Sequence, residues 1–319
     1  MCANSLTQSG ARAKTMIAKL KRVIARFPTY LTYIRERPSW VIVLLFGRVL
    51  AFRSFERAIR RAGPRPLSGK ISENVAVANL PDVLPSLLSK GVYADLILRH
   101  DLVSEIANFA ATTPCTSRSE PVRQFLPSDI NLANHGRDKD VIAAYYFDRV
   151  NECPAIGAIE RDAVLNDIAA AYIGTNPIHI RTRLWWSFPA TRFTDADLHA
   201  AAQDRFHFDL NDFRTLKFFF YITDVDSGGG PHSYISGSHR KRKLKYQFNS
   251  MVGHDEASLR RDYPGNDFKT ITGAAGTGFI EDPFIFHLGQ VCQTRSRLVL
   301  EIEFGPYNMS ESYRYGMLG

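Results

Sequence analysis

The chain has 319 residues, 45% of them hydrophobic and 23% charged, which is enough to bury a sizeable core and excludes a disordered or fibrous protein. Its four cysteines (Cys2, Cys115, Cys153, Cys292) are scattered with no C-x-x-C pair, which argues against a cysteine-based zinc site and favours a reduced, intracellular protein. The net charge of +8 is uneven: residues 1–66 hold fourteen Lys and Arg against Glu36 and Glu56, a net +12, while the remainder carries −4.

That first segment reads as basic helices. Met16, Ile17, Leu20, Val23 and Ile24 recur at helical spacing among Lys14, Lys19, Lys21, Arg22 and Arg26. An apolar run over 40–47 follows, then Arg48, then 49–52. It falls short of the roughly 20 residues that span a bilayer, and no signal-peptide core precedes it. Such a segment suits an anionic membrane surface, which predicts a cytoplasmic protein held peripherally at the inner face of a membrane. The alternative is that the helices pack on the main domain and solvate their basic face. No nucleic-acid module accompanies the charge, so nucleic acid is not an expected partner. The stretch 63–66, with Gly63, Pro64 and Pro66, breaks the pattern and divides an amphipathic helical segment, 1–66, from a main domain, 67–319.

Within the main domain, 82–89 reads as helix, 92–98 as extended, and 101–111 as helix with Asp101 at its N-cap. The polar stretch 118–140, with Pro121 and Pro127, reads as loop. A helix over 162–172 ends at Gly174, and 177–188 reads as a strand. After residue 205, short β-type runs alternate with Gly, Pro and Asp. Helices followed by strands predict an α+β domain in which a β-sandwich or barrel carries the site.

His207 and Asp209 stand two apart in an extended stretch and so share a face. His287, from a distant strand, can complete three ligands on one face of a metal ion. Two neutral imidazoles and a carboxylate suit iron(II) and leave three positions open, two for a chelating 2-oxoacid and one for O2. An isolated H-x-D is common; the company of Arg297, ten residues past His287 in the β-type run 297–304, gives it weight. A planar, permanently charged guanidinium matches the distal carboxylate of 2-oxoglutarate. Arg295 on the same strand face is the second choice, and a surface ion pair of Arg297 with Glu301 or Glu303 is the structural alternative.

Between the ligands lie Gly228, Gly229 and Gly230, then Ser236, Gly237, Ser238 and His239. Here the chain resembles the phytanoyl-CoA dioxygenase family, whose iron-binding core has a Gly-rich turn, a short strand and a P-G-S-H motif at this place. Ser236 stands where the family has proline, a departure expected to alter loop stiffness rather than chemistry. The resemblance runs from about residue 80 to 304 and includes the stretch 163–188. It implies a double-stranded β-helix (jelly-roll) core with helices outside, Fe(II) bound by His207, Asp209 and His287, 2-oxoglutarate held by Arg297, and O2 as the oxidant. The H-x-H of a cupin-type site is absent, jumonji-type oxygenases place a lysine on the co-substrate, and halogenating relatives lack the carboxylate that Asp209 supplies. The implied activity is hydroxylation of an unactivated C–H in a small-molecule, lipid-linked or glycan substrate, with release of succinate and CO2. Desaturation, epimerisation or cyclisation by the same chemistry is the alternative outcome, and a non-catalytic, membrane-associated scaffold is the alternative class.

Other residues carry weaker expectations. Arg181, Arg183, Trp185 and Ser187 share a strand face; Arg183 and Trp185 are candidates to line the co-substrate pocket, with a buried ion pair as the alternative. His232 and His239 flank a turn and are expected to set its loop, with His232 able to approach substrate. Residues 240–245 read as a solvated basic loop that would attract an anionic substrate if it lay at the barrel mouth.

Overall fold

A computed structural model describes residues 31, 34, 35, 37–59, 63–118, 120–201, 203–248 and 253–308. The helical reading of 16–24 lies outside them. Two antiparallel sheets make the core. The larger has the strand order β1-β2-β10-β7-β12-β6-β5-β3-β4 and the smaller β11-β8-β9. Their ranges are Val75–Val77 (β1), Val92–Leu98 (β2), Cys115–Ser117 (β3), Glu120–Phe125 (β4), Ala143–Tyr145 (β5), Ile178–Ser187 (β6), Leu216–Tyr221 (β7), His232–Ile235 (β8), Phe268–Ile271 (β9), Thr277–Glu281 (β10), His287–Gly289 (β11) and Arg297–Gly305 (β12). The sheets face one another across Phe219, Tyr221, Phe279 and Val299 from the large sheet and Ile271 from the small one, the layout of a double-stranded β-helix core in an α+β chain.

Strands β7 and β12 are buried on both faces; β7 reads as a nearly continuous apolar run, while β12 alternates apolar residues with Arg297, Glu301 and Glu303. Leu298, Leu300, Ile302 and Phe304 on β12, with Phe218 and Phe220 on β7, point outward into a cluster shared with helices Leu80–Lys90, His100–Thr112, Pro154–Glu160 and Ala163–Ile173. The alternate positions Arg297, Val299, Glu301 and Glu303 therefore face the interior, as do Lys217, Phe219 and Tyr221. The helix Ala163–Ile173 starts at Asp162, whose side chain accepts the N–H groups of Val164 and Leu165, and ends at Gly174 in the left-handed conformation (φ 80°). Asp101 is not the N-cap expected of it: its helix begins at His100 and Asp101 lies in the first turn. The expected loop over 118–140 holds β4 and a short helix, Ile130–Asn134. Pro121 misled the reading, since β4 is an edge strand, where a missing N–H costs little.

Two helices, Trp40–Phe46 and Leu50–Ile59, precede the first strand. Trp40 and Val43 bury themselves among Phe206, Leu210, Phe213 and Phe284, outside the small sheet. One face of this pair is thus committed to the domain. The loop at 240–245 is not solvated throughout. Arg242 is 3% exposed, with its guanidinium 3.8, 3.9 and 4.5 Å from the ring centres of Phe208, Phe284 and Phe286. It also donates to the Phe284 carbonyl, so three aromatic faces and one acceptor replace water around the charge. Lys243 and Lys245 pair with Asp262, while Arg240 and Lys241 stay exposed.

Candidate metal centre

His207 and His287 face each other across a two-bond bridge: His207 N–H donates to the His287 carbonyl at 3.0 Å, and His287 N–H returns to the His207 carbonyl at 2.8 Å. Asp209 N–H is held by the Pro283 carbonyl at 2.8 Å. These bonds point three side chains at one place, and one ligand atom from each of His207, Asp209 and His287 lies within 4.8 Å of the others. His287 is buried, while His207 and Asp209 are half-buried and open the cluster to one side.

The protonation states suit a divalent cation. Nδ1 of His207 lies 3.3 Å from the Arg205 carbonyl and Nδ1 of His287 lies 3.2 Å from the Ile285 carbonyl. A carbonyl only accepts, so each Nδ1 carries the proton and each Nε2 keeps a free lone pair. Burial pushes both imidazoles below the ordinary histidine value, and for His287 the neighbouring His207 adds to the effect. Burial alone would raise Asp209, but Lys217, His287 and His207 outweigh it and hold the carboxyl well below its ordinary range. Two neutral nitrogens beside an ionised carboxylate form a donor set that fits iron(II). Lys217 Nζ donates to Asp209 Oδ2 and does not preclude this, since a carboxylate has about four lone-pair sites.

Behind the three lies a layer of buried charge absent from the sequence reading. Glu281, fully buried, bonds His232 Nε2 at 2.6 Å and approaches His287 Nδ1 at 3.2 Å, so it orients the His287 ring. His232, expected to set a loop and able to approach substrate, therefore belongs to the site's support. Lys217, 1% exposed, reaches Glu301 at 3.7 Å as well as Asp209. A lysine alternating with Phe219 and Tyr221 in a strand with both faces buried was the available signal. The motif and the Gly-rich turn contribute too: Ser238 Oγ accepts the N–H of Phe286, next to His287, at 2.8 Å. Gly230 has φ 68°, and a Cβ there would meet the Gln290 carbonyl at 2.6 Å, so only glycine lets the turn close on the chain beyond His287.

Arg297 is 3% exposed on the inner face of β12, opposite Ser187 of β6, whose Oγ accepts from Nη2 at 3.3 Å. Its Nε has no hydrogen-bond partner among the described residues. Gly289, two residues past His287, passes so close that a Cβ there would lie 3.3 Å from Arg297 Nη2, which ties the arginine to the strand of the third ligand. The alternative of a surface ion pair with Glu301 or Glu303 does not occur. Both glutamates are fully buried; Arg181 reaches them at 3.2 and 2.8 Å, and Arg183 also binds Glu301. Arg183 is thus committed to Glu301, through Nε at 3.0 Å and through Nη2. Trp185, partly buried, stacks on Tyr145 with centroids 6.4 Å apart and pairs in register with Val299, next to Arg297 along the inner face. Arg295 is brought nowhere near: its side chain is 65% exposed and lies 3.8 Å from Asp226.

The N-terminal helices grip the chain just beyond Asp209. Trp40 Nε1 donates to the Asn211 carbonyl at 3.2 Å, Arg37 pairs with Asp212 at 2.5 Å, and Phe52 stacks on Phe213 at 5.8 Å. Trp40→Ala should cost about 3 kcal/mol by the usual penalty for truncating a buried tryptophan. It should also weaken metal binding while leaving the sheets folded. Chemical denaturation and an Fe(II) titration on the same variant check both halves.

The chain matches no established family profile and no curated protein by sequence. In chain trace it is similar to SnoN, a non-heme alpha ketoglutarate dependent epimerase from nogalamycin biosynthesis (12% identity over 70% of this chain and 82% of that one, TM-score 0.49). It is also similar to EctD from S. alaskensis with 2-oxoglutarate and 5-hydroxyectoine (18%, 76% and 82%, TM-score 0.46). A third likeness is to HygX from Streptomyces hygroscopicus with nickel, 2-oxoglutarate and hygromycin B bound (13%, 72% and 88%, TM-score 0.48). At such identities the likeness concerns the path of the chain, and the chemistry rests on this chain's own residues.

Proposed function

We propose that the protein is an Fe(II)- and 2-oxoglutarate-dependent dioxygenase that hydroxylates an unactivated C–H of a small molecule. The observation that carries the reading is the convergence of His207, Asp209 and His287 within 4.8 Å, donors of the right type and protonation state. Iron bound there would supply oxidation by O2 coupled to decarboxylation of 2-oxoglutarate to succinate and CO2. The chain's own part is to fix and shield the reactants. Asp209 brings the negative charge, the two imidazoles bind through Nε2, and Glu281 and the Ile285 carbonyl keep the His287 ring turned for the task. Arg297 holds the distal carboxylate of 2-oxoglutarate with the help of Ser187, a role supported by its burial and its unused Nε. Trp185 walls that pocket, while Arg183 keeps Glu301 ionised beside it. In this reading residues 67–319 are the oxygenase domain and 1–66 an accessory segment, with a lipid-linked or glycan substrate as the specific class it suggests.

The test is an anaerobic titration of the metal-free protein with Fe(II) and then 2-oxoglutarate, followed by the weak visible absorption of the chelate. Absence of that band in folded protein would sink the reading. Arg297→Ala should weaken 2-oxoglutarate binding by roughly tenfold to a hundredfold, the range for a charge-assisted hydrogen bond, with Fe(II) affinity unchanged. Once a substrate is in hand, product mass separates the outcomes: one oxygen gained for hydroxylation, two hydrogens lost for desaturation or cyclisation, and no change for epimerisation.

A further inference from the structure

The helix Trp40–Phe46 turns Trp40 and Val43 to the domain and leaves Ile42, Leu45 and Phe46 outside, 46%, 59% and 44% exposed. Their spacing puts them on one side of the helix. Phe46 stacks on Phe52 of the next helix at 4.7 Å, and Phe52 touches Phe55 at 6.1 Å. Phe55 and Ile59, one turn apart, are 58% and 64% exposed. The two helices thus carry one continuous apolar surface rather than scattered side chains, and a contiguous exposed patch of large apolar residues marks an interaction site.

We infer that this two-helix face docks the protein peripherally on an anionic membrane surface. The charge of the segment that bears it selects that occupant. The segment that bears the patch, residues 1–66, carries a net +12, with fourteen Lys and Arg against two acids. Exposed aromatic and aliphatic side chains on a segment of that net charge match the boundary between acyl chains and anionic headgroups. A second copy of this chain would set one +12 segment against another and be repelled. Contact is superficial: among the described residues no helix is long and apolar enough to cross a bilayer. The patch shares no residue with the metal centre, so the inference stands or falls apart from the oxygenase reading.

The experiment is co-sedimentation of the full chain with vesicles of phosphatidylcholine alone and of phosphatidylcholine with phosphatidylglycerol, at low and high salt. Binding should favour the anionic vesicles by about tenfold or more and weaken as salt rises. The double variant Leu45→Ser, Phe55→Ser should lose about tenfold or more of that binding, since each side chain gives up apolar burial in the lipid. Both positions are more than half exposed, so its thermal melt should match the parent's. A second variant, with Arg12, Lys14, Lys19, Lys21, Arg22 and Arg26 changed to Gln, should abolish the preference for anionic vesicles. The inference is overturned if anionic vesicles do not sediment the protein, or if the Leu45→Ser, Phe55→Ser variant binds them as well as the parent. It is equally overturned if light scattering shows self-association that this variant removes while vesicles leave the parent in solution, because the occupant is then another copy.

Discussion

His207→Ala should leave a folded protein that no longer takes up iron. The parent should bind one Fe(II) per chain. The variant's affinity should fall by more than the roughly 10- to 100-fold that even an outer hydrogen-bond partner of a ligand commands. Among the three proposed ligands His207 gives the cleanest test. Its ring is half-buried at the mouth, so truncation opens little of the core, and its backbone bridge to His287 survives the change. Asp209→Ala should abolish uptake too, but it also strips Lys217 of its nearest counter-charge and so mixes a folding defect with the metal defect. His287→Ala disturbs the Glu281–His232 pair behind it. Equilibrium binding of Fe(II), or of Co(II) as a slower-oxidising probe, read beside a thermal melt separates the effects. Unchanged binding in His207→Ala would remove this residue from the metal centre and with it the reading of the site.

What the sequence disclosed and what it hid follow from how each feature is encoded. His207 and Asp209 were legible because period two is a local property. Arg297 stood out because an arginine opens a β-type run ten residues past His287. The strand at 177–188 and the helix ending at Gly174 were legible through turn and cap chemistry. A buried ion pair was legible as the alternative role of Arg183, but its partner was not, because pairing depends on register. Glu301 meets Arg183, and Glu303 meets Arg181, only because β12 lies antiparallel to β6 with those Cα atoms opposed. Read along the chain, the same residues are two glutamates and two arginines more than a hundred positions apart, and nothing local says which meets which. Arg242 was misread for the same reason: its three aromatic partners are Phe208, Phe284 and Phe286, none adjacent in sequence. The docking of Trp40 on the loop beyond Asp209 is a contact between distant segments that periodicity gives no means to foresee.

That hidden layer carries the second large expected effect. Glu301 is fully buried and touches three cations: Arg181 at 3.2 Å, Lys217 at 3.7 Å, and Arg183. Burial alone would raise its carboxyl; Arg183, Lys217 and Arg181 overcome that and hold it below the ordinary range. Glu301→Gln keeps the shape and removes the charge, leaving Lys217, Arg181 and Arg183 to face one another with Glu303 and Asp209 as the remaining acids. Breaking one partner of such a group costs about 3–5 kcal/mol, against a total stability of about 5–15 kcal/mol, so the variant should stay folded at room temperature with a large share of its stability gone. Adding Lys217→Met should recover part of the loss, because it removes a cation that has lost its partner and fills the space with an apolar chain; a double-mutant cycle by urea denaturation measures the coupling. The pH response carries the same signature. A carboxyl whose folded pKa is lowered stabilises fully above its unfolded value, about 4.3 for glutamate, and loses that stabilisation as pH falls from there toward the folded value. Parent stability should therefore drop below about pH 4.5, and the Glu301→Gln variant should show a shallower slope there, having no proton to take up at this position. Parallel slopes for the two proteins would mean that Glu301 is not the ionised centre of the cluster.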